Sequence, residues 1–214
     1  MNDYTSEAHR VLTEAHRSVT IDKQDAAAAS VLTVSHVYRT DVDDLWNAIV
    51  DQQRLARWFG TVSGDFRLGG TYAVEGNASG TILTCDAPTG FSATWEFGGG
   101  TSELSVTLTP EGDGTRLTLQ HSGDVPYEFY DQFGPGATGV GWDGALLGLA
   151  AHLAFDTDAP LETTEWATSE EGLAFIRASA AVWGDAAIAA GEPEESARAS
   201  ADRTAAFFSG VEQH

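Results

Sequence analysis

The chain has 214 residues, 42% of them hydrophobic and 10% aromatic, enough for a packed core and too many for wholesale disorder. Eleven Lys and Arg stand against 32 Asp and Glu, a net charge of −21, which argues against nucleic acid or an anionic membrane as partner because both are held by clustered bases. The one cysteine, Cys85, excludes an internal disulfide and a cysteine-based zinc site.

The bases are unevenly placed. Lys23 is the sole lysine, and between Leu68 and Ile176 the one base is Arg116 against sixteen acids, a net of −15. A pocket built from that stretch repels phosphates and carboxylates unless Arg116 or backbone amides point into it. Near the N-terminus, Asp3, Glu7, His9 and Arg10 stand where a signal peptide needs an apolar run. No stretch approaches the ~18 consecutive apolar residues of a membrane helix. The expectation is a soluble, cytoplasmic protein.

In chain order, residues 3–19 read as a short helix with Val11, Leu12, Ala15 and Val19 on one side, and residues 23–30 as a linker or helix end. Residues 31–39 are strand-like. Asp41 is a helix N-cap, with Asp43 and Asp44 in the first turn and Leu45, Trp46, Ile49 and Val50 as the apolar stripe; residues 55–59 form a second short turn. From 60 to 123 the period changes to two and glycine-rich breaks separate short strands, the pattern of an antiparallel meander. Phe91, Ala93, Trp95 and Phe97 share one face, as do Leu104, Val106 and Leu108, and Leu117, Leu119 and His121.

Residues 124–136 read as a loop carrying Tyr127, Phe129, Tyr130 and Phe133. A long helix over 137–154 follows, with Trp142, Leu146, Leu149 and Leu153 at i, i+4, i+7 and i+11. A sheet with one apolar face must cover it, and this helix is the cover, so the fold class is α+β. Beyond Asp156, Ser169 or Thr168 caps a helix that ends at Gly191, and Pro193 opens another over 194–209. The organisation is therefore an N-terminal helix and linker (1–29), a central domain (30–155) and a helical extension (156–214) packed on the domain or on a partner subunit.

Two segments carry a resemblance. Val42-Asp43-Asp44-Leu45-Trp46-Asn47-Ala48-Ile49, followed by Leu55-Ala56-Arg57-Trp58-Phe59, is one. The other is Gly114-Thr115-Arg116-Leu117-Thr118-Leu119-Gln120-His121-Ser122-Gly123, with Gly141-Trp142 and Leu146 downstream. Together they resemble bacterial proteins similar to the C-terminal domain of the heat-shock-protein-90 ATPase activator, in the START-like (SRPBCC) superfamily. The resemblance covers about residues 31–153. It implies a helix-grip fold and a cavity between sheet and long helix, in a superfamily of lipid and hormone carriers, polyketide cyclases and oxygenase subunits.

The candidate ligand-binding residues are Trp58, Phe59, Tyr72, Trp95, His121, Tyr130, Trp142, Leu146 and Leu149, with the aromatics of 127–133 either a lid over the mouth or a packing that holds their own loop down. The leading reading is a carrier of a hydrophobic small molecule, neutral or cationic, without cofactor, metal or catalytic residues. A cyclase or dehydratase using His121 as acid and base is the first alternative; a chaperone cofactor is the second. Arg116 falls on the wet face, in reach of a cross-strand acid. Asp143 falls outside the buried stripe and is expected to be solvated. His9 and His16 are expected on a surface helix and Cys85 as a small buried hydrophobe. The apolar residues of the last two helices (Phe175, Ile176, Val182, Trp183, Phe207, Phe208) either fold back on the domain or form a homodimer.

Overall fold

A computed structural model describes residues 4–23 and 27–210. Among the described residues, seven helices and eight strands follow one another as α1 (Tyr4–Glu14), β1 (His16–Lys23), β2 (Ala27–Tyr38), α2 (Val42–Val50), α3 (Gln52–Leu55), β3 (Val62–Gly64), β4 (Thr71–Val74), β5 (Ser79–Asp86), β6 (Gly90–Phe97), β7 (Gly100–Glu111), β8 (Gly114–Pro126), α4 (Tyr127–Phe133), α5 (Gly136–Phe155), α6 (Glu170–Ala189) and α7 (Glu194–Phe208). Two 3₁₀ turns, Leu161–Thr163 and Glu165–Thr168, join α5 to α6.

The strands form one antiparallel sheet in the order β1-β2-β8-β7-β6-β5-β4-β3. Register explains the alternation in the sequence. Leu32, His121 and Leu104 lie side by side across β2, β8 and β7, as do Val34, Leu119 and Val106, and then His36, Leu117 and Leu108. Each row points inward, and α5 lies across it, with Trp142, Leu146 and Leu149 buried beneath. The chain thus adopts the α+β helix-grip arrangement.

Local signals place the helices that close the sheet. Asp41 caps α2 by accepting from the Asp44 amide at 2.8 Å, and Asp51 caps α3 by accepting from the Arg54 amide at 2.9 Å. Ser169 caps α6, its hydroxyl accepting from the Gly172 amide at 3.1 Å.

Four sequence expectations differ from the structure. The first helix stops at Glu14, and Val19 belongs instead to β1, which pairs with β2 along its whole length. Ala27, Ala28 and Ala29 are strand residues of β2, opposite Pro126, Val125 and Asp124 of β8; Gln24, Asp25 and Ala26 lie outside the described residues, as does Asp3. The aromatic loop is in part a helix, α4, docked on α7: Phe129 and Phe133 have ring centroids 5.0 Å apart, and Phe133 and Phe207 5.5 Å. The fourth is Asp143, which is wholly buried.

Asp143 is the pin of the extension. Arg17 Nε donates to both carboxylate oxygens at 3.0 Å, Ser179 Oγ donates to Oδ2 at 2.6 Å and Trp183 Nε1 donates to Oδ2 at 3.1 Å. The remaining Arg17 nitrogens donate to the carbonyls of Val11, Leu12 and Ala15, satisfying the C-terminal end of α1. Burial pushes the Asp143 carboxyl up and the Arg17 guanidinium opposes it. One carboxylate thereby joins α1, β1, α5 and α6. Gly139 makes the closest approach possible, since a Cβ there would fall inside the Trp183 ring. Glu192, just past α6, pairs with Lys23 of β1 at 2.6 Å, and Lys23 sits 5.6 Å from the centre of the Tyr130 ring. Among the described residues α6 is the one helix long and apolar enough to cross a membrane by length and composition; in the fold its Phe175, Ala180 and Trp183 are buried core residues.

Candidate functional site

Between the sheet and α5 lies a cavity of about 120 Å³. Its floor is sheet: Leu117 and Leu119 of β8, Leu104 and Val106 of β7, Phe91 and Trp95 of β6, and Ile82 of β5. Its roof is the α5 face carrying Trp142, Ala145, Leu146 and Leu149. Ile49 of α2, Leu55 of α3, and Trp58 and Phe59 just beyond close one side; Val62, Phe66, Tyr72 and Val74 close the other. No lining residue is Asp, Glu, Lys, Arg or His.

Seven of the nine residues expected to bind ligand are brought together here: Trp58, Phe59, Tyr72, Trp95, Trp142, Leu146 and Leu149. Backbone contacts fix their rims. Trp58 Nε1 donates to the Ala48 carbonyl at 2.9 Å, and the Tyr72 hydroxyl donates to the Thr94 carbonyl at 2.6 Å. Burial pushes the Tyr72 phenol up to about 12, so it holds its proton at neutral pH. Gly148 lets α5 approach closely, because a Cβ there would stand 2.9 Å from the Trp58 carbonyl oxygen.

The other two lie elsewhere. Tyr130 is on α4, buried near Lys23 and outside the cavity lining; none of Tyr127, Phe129, Tyr130 and Phe133 lines the cavity, so α4 is not its lid. His121 stands behind the aromatic wall, its ring edge-on to Trp95 at 6.0 Å and to Trp142 at 5.8 Å. Trp142 Nε1 lies 3.0 Å from His121 Nδ1, and Ser102 Oγ lies 2.6 Å from His121 Nε2. An indole N–H only donates, so Nδ1 is the acceptor and Nε2 carries the hydrogen, which it donates to Ser102. Ser102 in turn donates to the Trp95 carbonyl at 3.2 Å. Burial lowers the imidazole to about 4. Every ring nitrogen is engaged, leaving no lone pair to take a proton from a substrate or from Ser102. Gly123 makes the contact possible: a Cβ there would come within 2.7 Å of the Ser102 Cβ.

Sequence reasoning did not reach Phe66 and Val62, which sit on and beside a strand of only three residues. Phe66 and Phe91 meet edge-on at 5.1 Å, and each meets Trp46 at 6.0 and 6.2 Å, so a cluster of three rings closes that end. Arg116 lies away from the cavity and pairs with Glu111 at 2.5 Å. His9 and His16 are exposed, on α1 and β1, and Cys85 is half-buried. Among the described residues no three His, Cys, Asp or Glu side chains converge as a metal site.

Residues 39–154, more than half of the chain, match the family described as Activator of Hsp90 ATPase homolog 1-like protein. The crystal structure of CalU16 from Micromonospora echinospora is 33% identical over 67% of this chain and 88% of that one, with a TM-score of 0.57. The solution structure of the same protein aligns over 92% of this chain and 94% of that one at 27% identity and a TM-score of 0.60, so the likeness takes in the helical extension. DynU16, a protein in the dynemicin biosynthetic locus, shares the fold at 21% identity, with 67% of this chain and 59% of that one aligned and a TM-score of 0.53. No curated protein matches.

Proposed function

The chain belongs to the family of Activator of Hsp90 ATPase homolog 1-like proteins, and from that membership and its cavity we propose that it binds an uncharged, hydrophobic small molecule between sheet and α5. The observation that carries this is the lining itself. Nineteen residues surround the cavity and none is ionisable near neutral pH. An ammonium or carboxylate entering there would lose its hydration with no counter-charge in return, a cost of several kcal/mol. This supports the neutral half of the neutral-or-cationic expectation. An apolar space of this size holds about one aromatic ring.

Catalysis draws no support from the same geometry. A cyclase using His121 needs a free imidazole nitrogen facing the substrate, whereas Nδ1 and Nε2 are both engaged behind Trp142 and Trp95.

The test is calorimetric titration of the purified protein with toluene, beside p-toluenesulfonate. Saturable binding of the neutral ring, little of the anion, and loss of the former on Ala145→Phe, which fills the cavity, is the expected result. Absence of saturable toluene binding, or binding indifferent to Ala145→Phe in a folded protein, overturns the reading. Family membership carries a second reading, a chaperone cofactor acting through a protein surface. It predicts stimulation of an Hsp90 ATPase by the purified chain, and no stimulation at saturating concentration removes it.

A further inference from the structure

One wall of the cavity hangs from α3. Leu55 lines it, and the amides of Trp58 and Phe59 both donate to the Leu55 carbonyl, at 3.2 and 2.8 Å, so these two lining rings continue the same turn. The roof belongs to α5, and polar side chains tie the two together. Arg54 of α3 donates from Nε to Nε2 of His152, in the last turn of α5, at 3.3 Å. Its Nη1 donates to the Asp44 carboxylate at 2.6 Å and to Asn47 Oδ1 at 3.1 Å, both on α2. Arg57 adds ion pairs to Asp156 at 2.8 Å and to Asp158 at 3.5 Å, just past α5.

The Arg54 tie depends on one imidazole lone pair. A guanidinium N–H only donates, so His152 Nε2 accepts and the ring hydrogen is on Nδ1. Thr157 Oγ1 stands 3.4 Å from Nδ1 and spends its own hydrogen on the Arg57 carbonyl at 3.1 Å, so its oxygen accepts from the imidazole. A second proton on His152 would set N–H against N–H and one cation against another. The carboxylates in reach offer little relief. Asp44 is already engaged by Arg54 and by the Thr40 hydroxyl, while the side chains of Asp156 and Asp158 are 83% and 99% exposed and screened by solvent. Burial lowers the His152 imidazole below its ordinary value; Arg54 and Arg57 add to this, and Asp156 opposes it.

We propose that Arg54 and His152 are positioning residues of the cavity and form a pH-sensitive latch. With His152 neutral, Trp58 and Phe59 are held against α5 and the ligand is retained; protonation of His152 releases α3 and with it the ligand. This rests on the binding function proposed above and adds its regulation. The coupling is reciprocal: a ligand that favours the latched form makes His152 harder to protonate, and acid weakens the ligand by the same factor. Affinity is therefore greatest above the ordinary imidazole value of about 6.5 and falls as pH falls below it.

Toluene has no titratable group, so any pH dependence of its binding belongs to the protein. Its affinity is measured by calorimetry at pH 7.5 and at pH 5, above the region of about 4 in which His36 and His121 titrate. Wild type is compared with His152→Gln, whose amide can accept from Arg54 and donate to Thr157 without titrating. The expected result is that wild type binds about three-fold more weakly at pH 5, a little under the usual coupling between two sites because protonation is incomplete there. The variant binds equally at both. Parallel pH profiles of the two proteins, or a wild-type affinity that does not fall, overturn the latch and leave the cavity a binding site. A second measurement needs neither variant nor ligand: in ¹⁵N spectra of the wild type, the Trp58 indole resonance shifts with the midpoint of the His152 titration. A Trp58 resonance that stays in place through that titration overturns the latch as well. Failure of toluene to bind wild type at pH 7.5 overturns the binding function and ligand release with it.

Discussion

Trp142 and His121 share a 3.0 Å hydrogen bond in which the indole is the donor, and that bond sets which imidazole nitrogen carries the hydrogen. Burial disfavours the charged ring, and a lone pair occupied by an N–H gives a further proton no place to go. The ring is thus held neutral with its hydrogen on Nε2, pointing at Ser102. Trp142→Phe removes the donor while keeping an aromatic ring over the cavity. The His121 pKa, near 4 in the intact protein, should then climb towards the ordinary 6.5. Side-chain ¹⁵N NMR titration reads both the tautomer and the shift; an unmoved titration would show that burial alone sets it.

Histidines withdrawn from water by the fold make folding sensitive to mild acid. His36 and His121 are both lowered to about 4, each by burial first, with Arg10 the next contribution at His36. Above pH 6.5 both are neutral whether the chain is folded or not. Between 6.5 and 4 the unfolded chain takes up protons that the folded chain refuses, so stability falls as pH falls through that window. Each histidine contributes on the order of 3 kcal/mol over the full range. Urea unfolding between pH 7.5 and 4 should show the decline, and His121→Gln should make it shallower. Parallel curves for the two proteins would contradict the assignment.

The Arg17–Asp143 pair is buried on both sides, with side-chain exposures of 2% and 0%. Asp143→Ala strands a guanidinium in the interior, at a cost of about 3–5 kcal/mol, a large share of the 5–15 kcal/mol typical of a whole protein. Replacing both partners by apolar residues, Arg17→Met with Asp143→Leu, should recover part of that loss, the remainder being the unmatched Ser179 and Trp183 donors and α1 carbonyls. Denaturant midpoints of the three proteins decide it, and additive losses in the double variant would refute the coupling.

Two glycines of α5 provide a matched contrast. Gly139→Ala drives a methyl into the Trp183 ring, displacing the indole from Asp143 and destabilising by about 1–3 kcal/mol. Gly144 faces solvent, and a methyl added there would meet nothing within 4 Å, so Gly144→Ala should be neutral or stabilise by up to about 1 kcal/mol. Thermal unfolding of both variants checks the sign; similar effects would mean that helix propensity, not packing, governs both sites.

The sheet and its inward rows were legible in the sequence because a one-sided strand writes its burial with period two, as Leu104, Val106 and Leu108 do. The same pattern placed Trp95 and Trp142 against each other. Asp143 was not legible, because the one-stripe expectation holds for a helix covered on one side. α5 is covered by the sheet on one face and by α1 and α6 on another, and its glycines and alanines leave little contrast between them. His121 was placed on the inner face correctly, but its phase says nothing of the neighbours that engage both nitrogens. Phe66 left no signal, since three strand residues are too few to show a period. α4 was hidden because it begins directly at the end of β8 with no side-chain cap.

Lys23, the one side-chain amine of the sequence, lies where the first strand meets the turn between the last two helices, and it is 39% exposed and engaged with Glu192. Any chemistry directed at lysine, whether enzymatic acylation or a reagent added in the laboratory, therefore has a single side-chain address. That address reports on one event, the seating of the C-terminal helices. Neutralising the ammonium there would cut the tie to Glu192 and leave the Tyr130 ring without its cation.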